Sequence, residues 1–222
     1  MNAFGRIEIE DSRDALYPMA ALLPVEKSVK RYRYWNDNQW WGNQGNKPWC
    51  VAYAWMHWAE DGPVTHKDVP PPFVSPRNVY NRAQKVDQWP GENYDGTSVR
   101  AGAKILMEEG VISAYHWADS VETMIEAVLE VGPIVVGTRW YEGMSRPKVT
   151  DRGKYHMLIP TGRVLGGHAW VITGANVTNE LFRMKNSWGR QWGTKGRAHI
   201  AFDDMETLLS QGGEACLATE IN

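Results

Sequence analysis

An α+β fold with two lobes is predicted by three observations on this chain. Apolar residues recur at helical spacing up to about residue 130, the period falls to two after it, and no stretch alternates helix with strand in the manner of βαβ units. One domain is expected, with a leading segment over about 1–38 that packs on the β lobe, a helical lobe over about 39–115 and a β-sheet or barrel-like lobe over about 116–222.

Ile7 and Ile9 alternate with acids as in a short strand, and Pro18 and Pro24 interrupt any long helix in the leading segment. Lys30-Arg31-Tyr32-Arg33-Tyr34 is too short and isolated for an RNA-facing stripe and reads as a solvated edge strand. A Gly/Pro-containing loop from Gln44 then gives way to a helix, with Pro48 at its last non-helical or first helical position. Val51, Trp55 and Trp58 recur at helical spacing until Asp61-Gly62-Pro63 stops the run. Pro70-Pro71-Pro72 is a rigid connector, and Ser75-Pro76 opens a short helix carrying Val79, Tyr80 and Ala83.

Thr97 or Ser98 can cap a further helix whose inner stripe is Val99, Ala103, Leu106 and Met107, with Gly110 ending it. Asp119-Ser120-Val121-Glu122 reads as a capping box, followed by a full helical stripe of Val121, Met124, Ile125, Val128 and Leu129. Gly132-Pro133 closes that helix, and Ile134-Val135-Val136 opens the strand-rich half. Strands are expected over 168–173, 181–185 and 197–202, with Asp203-Asp204 as a solvated turn.

The bulk numbers exclude several function classes. Across 222 residues, 24 basic and 26 acidic side chains leave a net charge of −2, which points to neither a nucleic-acid nor a membrane partner. Two cysteines allow one bridge at most, and the first residues lack a signal-like apolar core, so a cytoplasmic or otherwise non-secreted protein is expected. Asn176-Val177-Thr178 is formally a glycosylation acceptor, of no weight without a secretory signal. No spacing of Cys and His suggests a metal, and no cofactor is implied.

Chemistry concentrates at Cys50. A thiol at a helix N-terminus sits at the positive end of the peptide dipole, which favours thiolate, although most free cysteines are small buried hydrophobes. Gln44 lies six residues upstream, across the loop, where its amide could donate to an oxyanion. A thiolate needs a base, and His168 differs from His57, His66, His116, His156 and His199. It follows Gly166-Gly167 and leads the apolar run 169–173, at the start of a buried strand. Eighteen residues on, Asn186 ends another strand and can fix the imidazole's tautomer. Trp188 and Trp192 can then shield that bond from water. Read blandly, Asn186-Ser187 is a turn and the tryptophans are core.

The order Gln44, Cys50, His168, Asn186 resembles that of the papain family of cysteine peptidases, from about Trp40 to the C-terminus. Gly167-His168-Ala169 is similar to its histidine strand, and Lys185-Asn186-Ser187-Trp188-Gly189 with Trp192-Gly193 and Gly196 is similar to its most specific signature. Weaker likenesses are Val131-Gly132-Pro133-Ile134 and Gly213-Glu214-Ala215-Cys216.

The resemblance implies the papain-like two-lobed fold with the cleft between the lobes. It implies Cys50 as nucleophile paired with His168, Asn186 orienting the histidine, Gln44 in the oxyanion hole, and Trp188, Gly96 and Gly167 against a peptide or protein substrate. Two departures stand out. Asn46-Lys47-Pro48-Trp49-Cys50-Val51 lacks the family's loop cysteine and the aromatic after the nucleophile, and Asp95-Gly96-Thr97 stands where a glycine pair usually lines the substrate. The family also implies a zymogen segment, for which the 49 residues before Cys50 are too few, so a compact microbial or viral type without a propeptide is expected. Peptide hydrolysis through a thioester acyl-enzyme is the expected activity. The alternatives are a thioester-forming amidase or transpeptidase on cell-wall or protein-maturation substrates, and an inactive papain-fold binding module.

Overall fold

The computed structural model of the chain describes residues 3–9, 11–38, 40–61, 75–86, 94–150 and 154–220. Pro70-Pro71-Pro72 and most of the stretch before Asp95 fall outside these residues. Within them the strands are β1 (Tyr32–Tyr34), β2 (Ile112–Trp117), β3 (Ile134–Tyr141), β4 (Lys148–Val149), β5 (His156–Met157), β6 (Val164–Asn176), β7 (Leu181–Lys185), β8 (Arg197–Ala201) and β9 (Glu214–Glu220). They form one sheet in the order β2-β9-β3-β6-β7-β8-β5-β4, with β1 pairing alongside β6. The helices are α1 (Cys50–Asp61), α2 (Pro76–Val86), α3 (Val99–Glu108), α4 (Val121–Glu130) and α5 (Phe202–Ser210).

Two cores flank the sheet, and the two-residue period of its central strands divides them. On β6, Ala169 and Val171 pack with Cys50, Val51, Trp55 and Trp58 of α1. Trp170 and Ile172 face the other way, onto Trp140, Phe182 and the α4 stripe. Hydrophobicity therefore runs nearly unbroken through 169–172, as a strand covered on both faces requires. The α1 helix is buried on almost every side, Glu60 alone lying exposed, because β3 and β6 cover one flank while α2 and α3 cover another. Its two large rings are polar-satisfied: Trp55 Nε1 donates to the Val99 carbonyl at 2.9 Å and Trp58 Nε1 to the Pro133 carbonyl at 3.0 Å.

The α+β expectation holds, with three local differences. Ile112–Trp117 is a strand, β2, although it lies amid helices in sequence; it pairs antiparallel with β9 near the far end of the chain. Asp203-Asp204 is the acidic first turn of α5 rather than a solvated turn, where two carboxylates suit the positive end of the helix. The α4 cap is Ser120, whose hydroxyl accepts from the Thr123 N–H at 3.2 Å, while Asp119 takes the Thr123 hydroxyl at 2.6 Å. The reciprocal glutamate bond is replaced by this Asp-Ser-Thr cluster.

Candidate active site

Cys50 is the first residue of α1, and Trp49 supplies the carbonyl that takes the Tyr53 N–H at 3.0 Å. Pro48 therefore sits one residue ahead of the last non-helical position, holding the loop as it turns into the helix. The loop is closed by Lys47 N–H on the Gln44 carbonyl at 3.0 Å. Gln44 is buried, and its three side-chain bonds fix its direction. Oε1 accepts the Ser187 hydroxyl, and Nε2 donates to the carbonyls of Lys47 and Ala3, each at 2.9 Å. Gln44 N–H also donates to the Ser187 carbonyl at 2.8 Å. The loop and the Asn186-Ser187 turn are thus one unit, although 143 positions separate Gln44 from Ser187.

On the other side, His168 is fully buried near the start of the covered part of β6. Its Nε2 lies 2.8 Å from Asn186 Oδ1. The same oxygen accepts the Ser187 backbone N–H at 2.8 Å, and a backbone N–H can only donate, so the amide orientation is fixed. Nε2 must then carry the proton, leaving Nδ1 as the basic nitrogen. Nδ1 is buried without a hydrogen-bond partner among the described residues. Trp188 lies with its ring centroid 4.9 Å from that of His168, and Trp140 lies at 4.7 Å, roughly edge-on, so water is excluded from the His168–Asn186 bond. Cys50 packs against the same strand, in one buried cluster with Ala169, next to His168, and the N–H groups of Ala169, Val51 and Gly5 favour its ionised form.

Residues 3–7 lie across this group, although from sequence the leading segment is expected on the β lobe. Ala3 N–H donates to the Gly45 carbonyl at 3.2 Å, and Gly5 and Arg6 N–H groups share the Gly167 carbonyl at 3.1 and 3.0 Å. Thr97, just ahead of α3, donates to the Gly5 carbonyl at 2.8 Å and accepts from Ile7 N–H at 2.9 Å. Phe4 stands edge-on to His168 and Trp188, at 5.9 and 6.0 Å. Each expected substrate-contacting residue therefore touches this segment. A Cβ on Gly96 would come within 2.6 Å of the Gly5 carbonyl, and one on Gly167 would overlap the carbonyl of Arg6. The leading segment reaches beyond the β lobe, bridging β6 and the turn before α3.

This cover changes the electrostatics. Burial pushes the Cys50 thiol up to about 11, against the opposing pull of the three N–H groups. Burial likewise takes the His168 imidazole down to about 4, against the Asn186 hydrogen bond. In the covered arrangement the pair is neutral, a thiol beside an imidazole, rather than the thiolate and imidazolium expected from a helix N-terminus alone. Desolvation outweighs the dipole here because neither group reaches water.

His66 lies outside the described residues, and two further histidines are placed elsewhere. His57 is buried in α1, where its Nε2 accepts the Gly42 N–H at 3.3 Å, and His199 lies on β8 with its ring 4.4 Å from that of Tyr155. Among the described residues no group of three or more His, Cys, Asp or Glu could hold a metal ion, both cysteines are free, and no helix is long and apolar enough to cross a membrane. Sequence reasoning missed Arg6 and Glu214 as parts of this region, because no local pattern joins them.

Comparison with known proteins places the fold. No family model matches the chain. An uncharacterised peptidase C1-like protein of Acanthamoeba polyphaga mimivirus is 26% identical over 145 residues, 48% of this chain and 47% of that protein. Human cathepsin O is 31% identical over 93 residues, 40% of this chain and 26% of that protein. The matched stretches thus span less than half the length of both relatives. Among solved structures, xylellain, a cysteine protease from Xylella fastidiosa, superposes with a TM-score of 0.73 at 18% identity, covering 100% of this chain and 97% of that one. The digestive procathepsin L2 proteinase from Tenebrio molitor larval midgut gives 0.68 at 18% identity, covering 98% and 78%. The chain has the papain-like α+β fold and resembles papain-like cysteine peptidases in sequence.

Proposed function

We propose that this chain is a cysteine endopeptidase that cleaves peptide bonds through a thioester acyl-enzyme. The observation that carries the reading is the covering segment itself. A peptide main chain lies across the site with the Ala3 carbonyl on the Gln44 amide and the Gly5 and Arg6 N–H groups on the carbonyl of Gly167, next to His168. In the proposed reaction, water or substrate entering in place of residues 3–7 restores solvation, and His168 Nδ1 takes the Cys50 proton. The thiolate attacks the scissile carbonyl, and the oxyanion is held by the Cys50 N–H and the Gln44 amide. The Nδ1 proton passes to the leaving amine, and water then hydrolyses the thioester with His168 as base. Asn186 keeps Nε2 protonated throughout, so that Nδ1 alone exchanges protons.

Intact-mass measurement after exposure to an epoxysuccinyl peptide, on the full chain and on Cys50→Ala, tests the reading. A single adduct that disappears in the variant is expected, together with cleavage of denatured casein. If Cys50 reacts with iodoacetamide but never with the peptide reagent, and casein stays intact, the endopeptidase reading is overturned. Breakdown of purified cell wall in place of casein would move the amidase alternative ahead.

A further inference from the structure

The five backbone bonds between residues 3–7 and the site are made by groups that every peptide possesses. Sequence discrimination along the segment must therefore come from side chains, and one of these enters a built pocket. Arg6 is 6% exposed. Its Nε donates to Glu214 Oε1 at 2.9 Å, its Nη2 to the Gly212 carbonyl at 2.7 Å, and its Nη1 lies 3.5 Å from Glu8 Oε2. Room for the guanidinium exists because residue 137 on β3 is glycine. A Cβ there would come within 2.8 Å of Glu214 Oε1, 2.9 Å of Arg6 Nε and 2.9 Å of a Val99 methyl.

Glu214 begins β9 and pairs across to Gly137, with its side chain only 14% exposed. Arg100 and Asp14 are further charges that act on it, of opposite sign to each other. Among the described residues, Arg6 is the one cation bonded to it. A carboxylate buried at a strand start, opposite a glycine, is costly without a cation to meet it. The pocket also adjoins the reacting position, since Arg6 directly follows Gly5, whose backbone packs so closely on the Pro48 carbonyl, two residues ahead of Cys50, that a Cβ there would overlap it.

We propose that the Glu214 pocket is the specificity pocket of this site. It takes the arginine side chain of a substrate peptide at the residue next to the one presented to Cys50, and Arg6 holds that place until a substrate displaces it. The proposal rests on the peptidase reading above and names its substrate class: peptides with arginine beside the cleaved residue. Glu214 is the specificity-determining residue, Gly137 keeps the pocket open, and the Gly212 carbonyl supplies the second acceptor of a forked cation site.

The test uses internally quenched peptides that differ only in arginine, leucine or glutamate at either neighbour of the cleaved residue, with cleavage points read by mass spectrometry. Both the full chain and its Arg6→Ala variant are assayed. Arginine is expected to exceed leucine in kcat/KM by about tenfold or more at one of these neighbours, the scale of a charge-assisted bond left unmade. Glu214→Gln and, separately, Gly137→Val are expected to bring that ratio close to one. Equal turnover of arginine and leucine peptides, or a preference for leucine, overturns the proposal while leaving the peptidase reading standing. So does an unchanged ratio in a folded Glu214→Gln chain. If no peptide is cut, the peptidase reading falls, and calorimetry of the same peptides with the Cys50→Ala, Arg6→Ala chain decides the pocket. Tighter binding of the arginine peptide upholds its selectivity, and equal binding refutes it.

Discussion

Asn186 Oδ1 accepts two bonds of 2.8 Å, one from its neighbour Ser187 and one from His168 Nε2, which fixes the histidine as the tautomer whose Nδ1 is basic. Replacing Asn186 by alanine removes the acceptor, so the ring can rotate or take the other tautomer. The expected result is a fall in kcat of roughly tenfold or more, bounded above by the 10²–10⁴ that a positioned base contributes, with KM little changed. Steady-state kinetics on a quenched peptide would show it. An equal fall in kcat/KM arising entirely from KM would contradict the orienting role.

Gln44 offers a second kinetic prediction. Its Nε2 donors already hold main-chain carbonyls, one of them from the covering segment. Gln44→Ala should lower turnover on the order of 10²–10³, the usual effect of one oxyanion donor. Far-UV circular dichroism should stay unchanged, because the backbone bond from Gln44 N–H to Ser187 survives the substitution. Normal turnover of model peptides would remove Gln44 from the oxyanion hole.

The deepest ion pair serves stability. Lys185 and Asp61, both fully buried, join β7 to the end of α1, and the ammonium also donates to the carbonyls of Asp37 and Trp40. Asp61→Ala leaves the cation with two neutral acceptors and no directly bonded carboxylate, Asp37 acting on it only at longer range. A loss of about 3–5 kcal/mol is expected, read from urea unfolding midpoints. A loss below about 1 kcal/mol would mean that Lys185 sheds its proton or finds water.

Acid should weaken the fold in a window set by buried imidazoles. Burial on β8, with Arg183 and His156 nearby, takes His199 down to about 4 from an ordinary value of 6.5. The unfolded chain thus binds a proton between these values that the folded chain refuses. The stability contributed by neutral His199 is complete above 6.5 and is lost as pH falls toward 4. Since Glu220, held up at about 7 by burial, acts in the opposite direction, the clean readout is a difference. His199→Asn should lose less stability than the parent chain between these pH values, in parallel thermal melts. Identical acid limbs would place His199 in water.

What the sequence determined by itself was local or carried by spacing. The helix start at Cys50 follows from a loop proline and a run of apolar residues. The central strand follows from continuous hydrophobicity at 169–172. Both depend on residues within a turn or two of one another, where propensity and period speak directly. The four candidate site residues, spread from Gln44 to Asn186, are proposed from a resemblance of order along the chain.

Tertiary structure decided the rest. That Ile112–Trp117 is a strand depends on β9, about a hundred residues away. That Cys50 and His168 are held neutral depends on burial, to which distant tryptophans and residues 3–7, a stretch too short and irregular to announce its place, contribute. That Arg6 meets Glu214 across 208 positions depends on the absence of a side chain at Gly137, a space that exists only once β3 and β9 are paired. Local sequence encodes conformation, but burial, and with it charge and access, is set by whatever distant chain happens to cover a group.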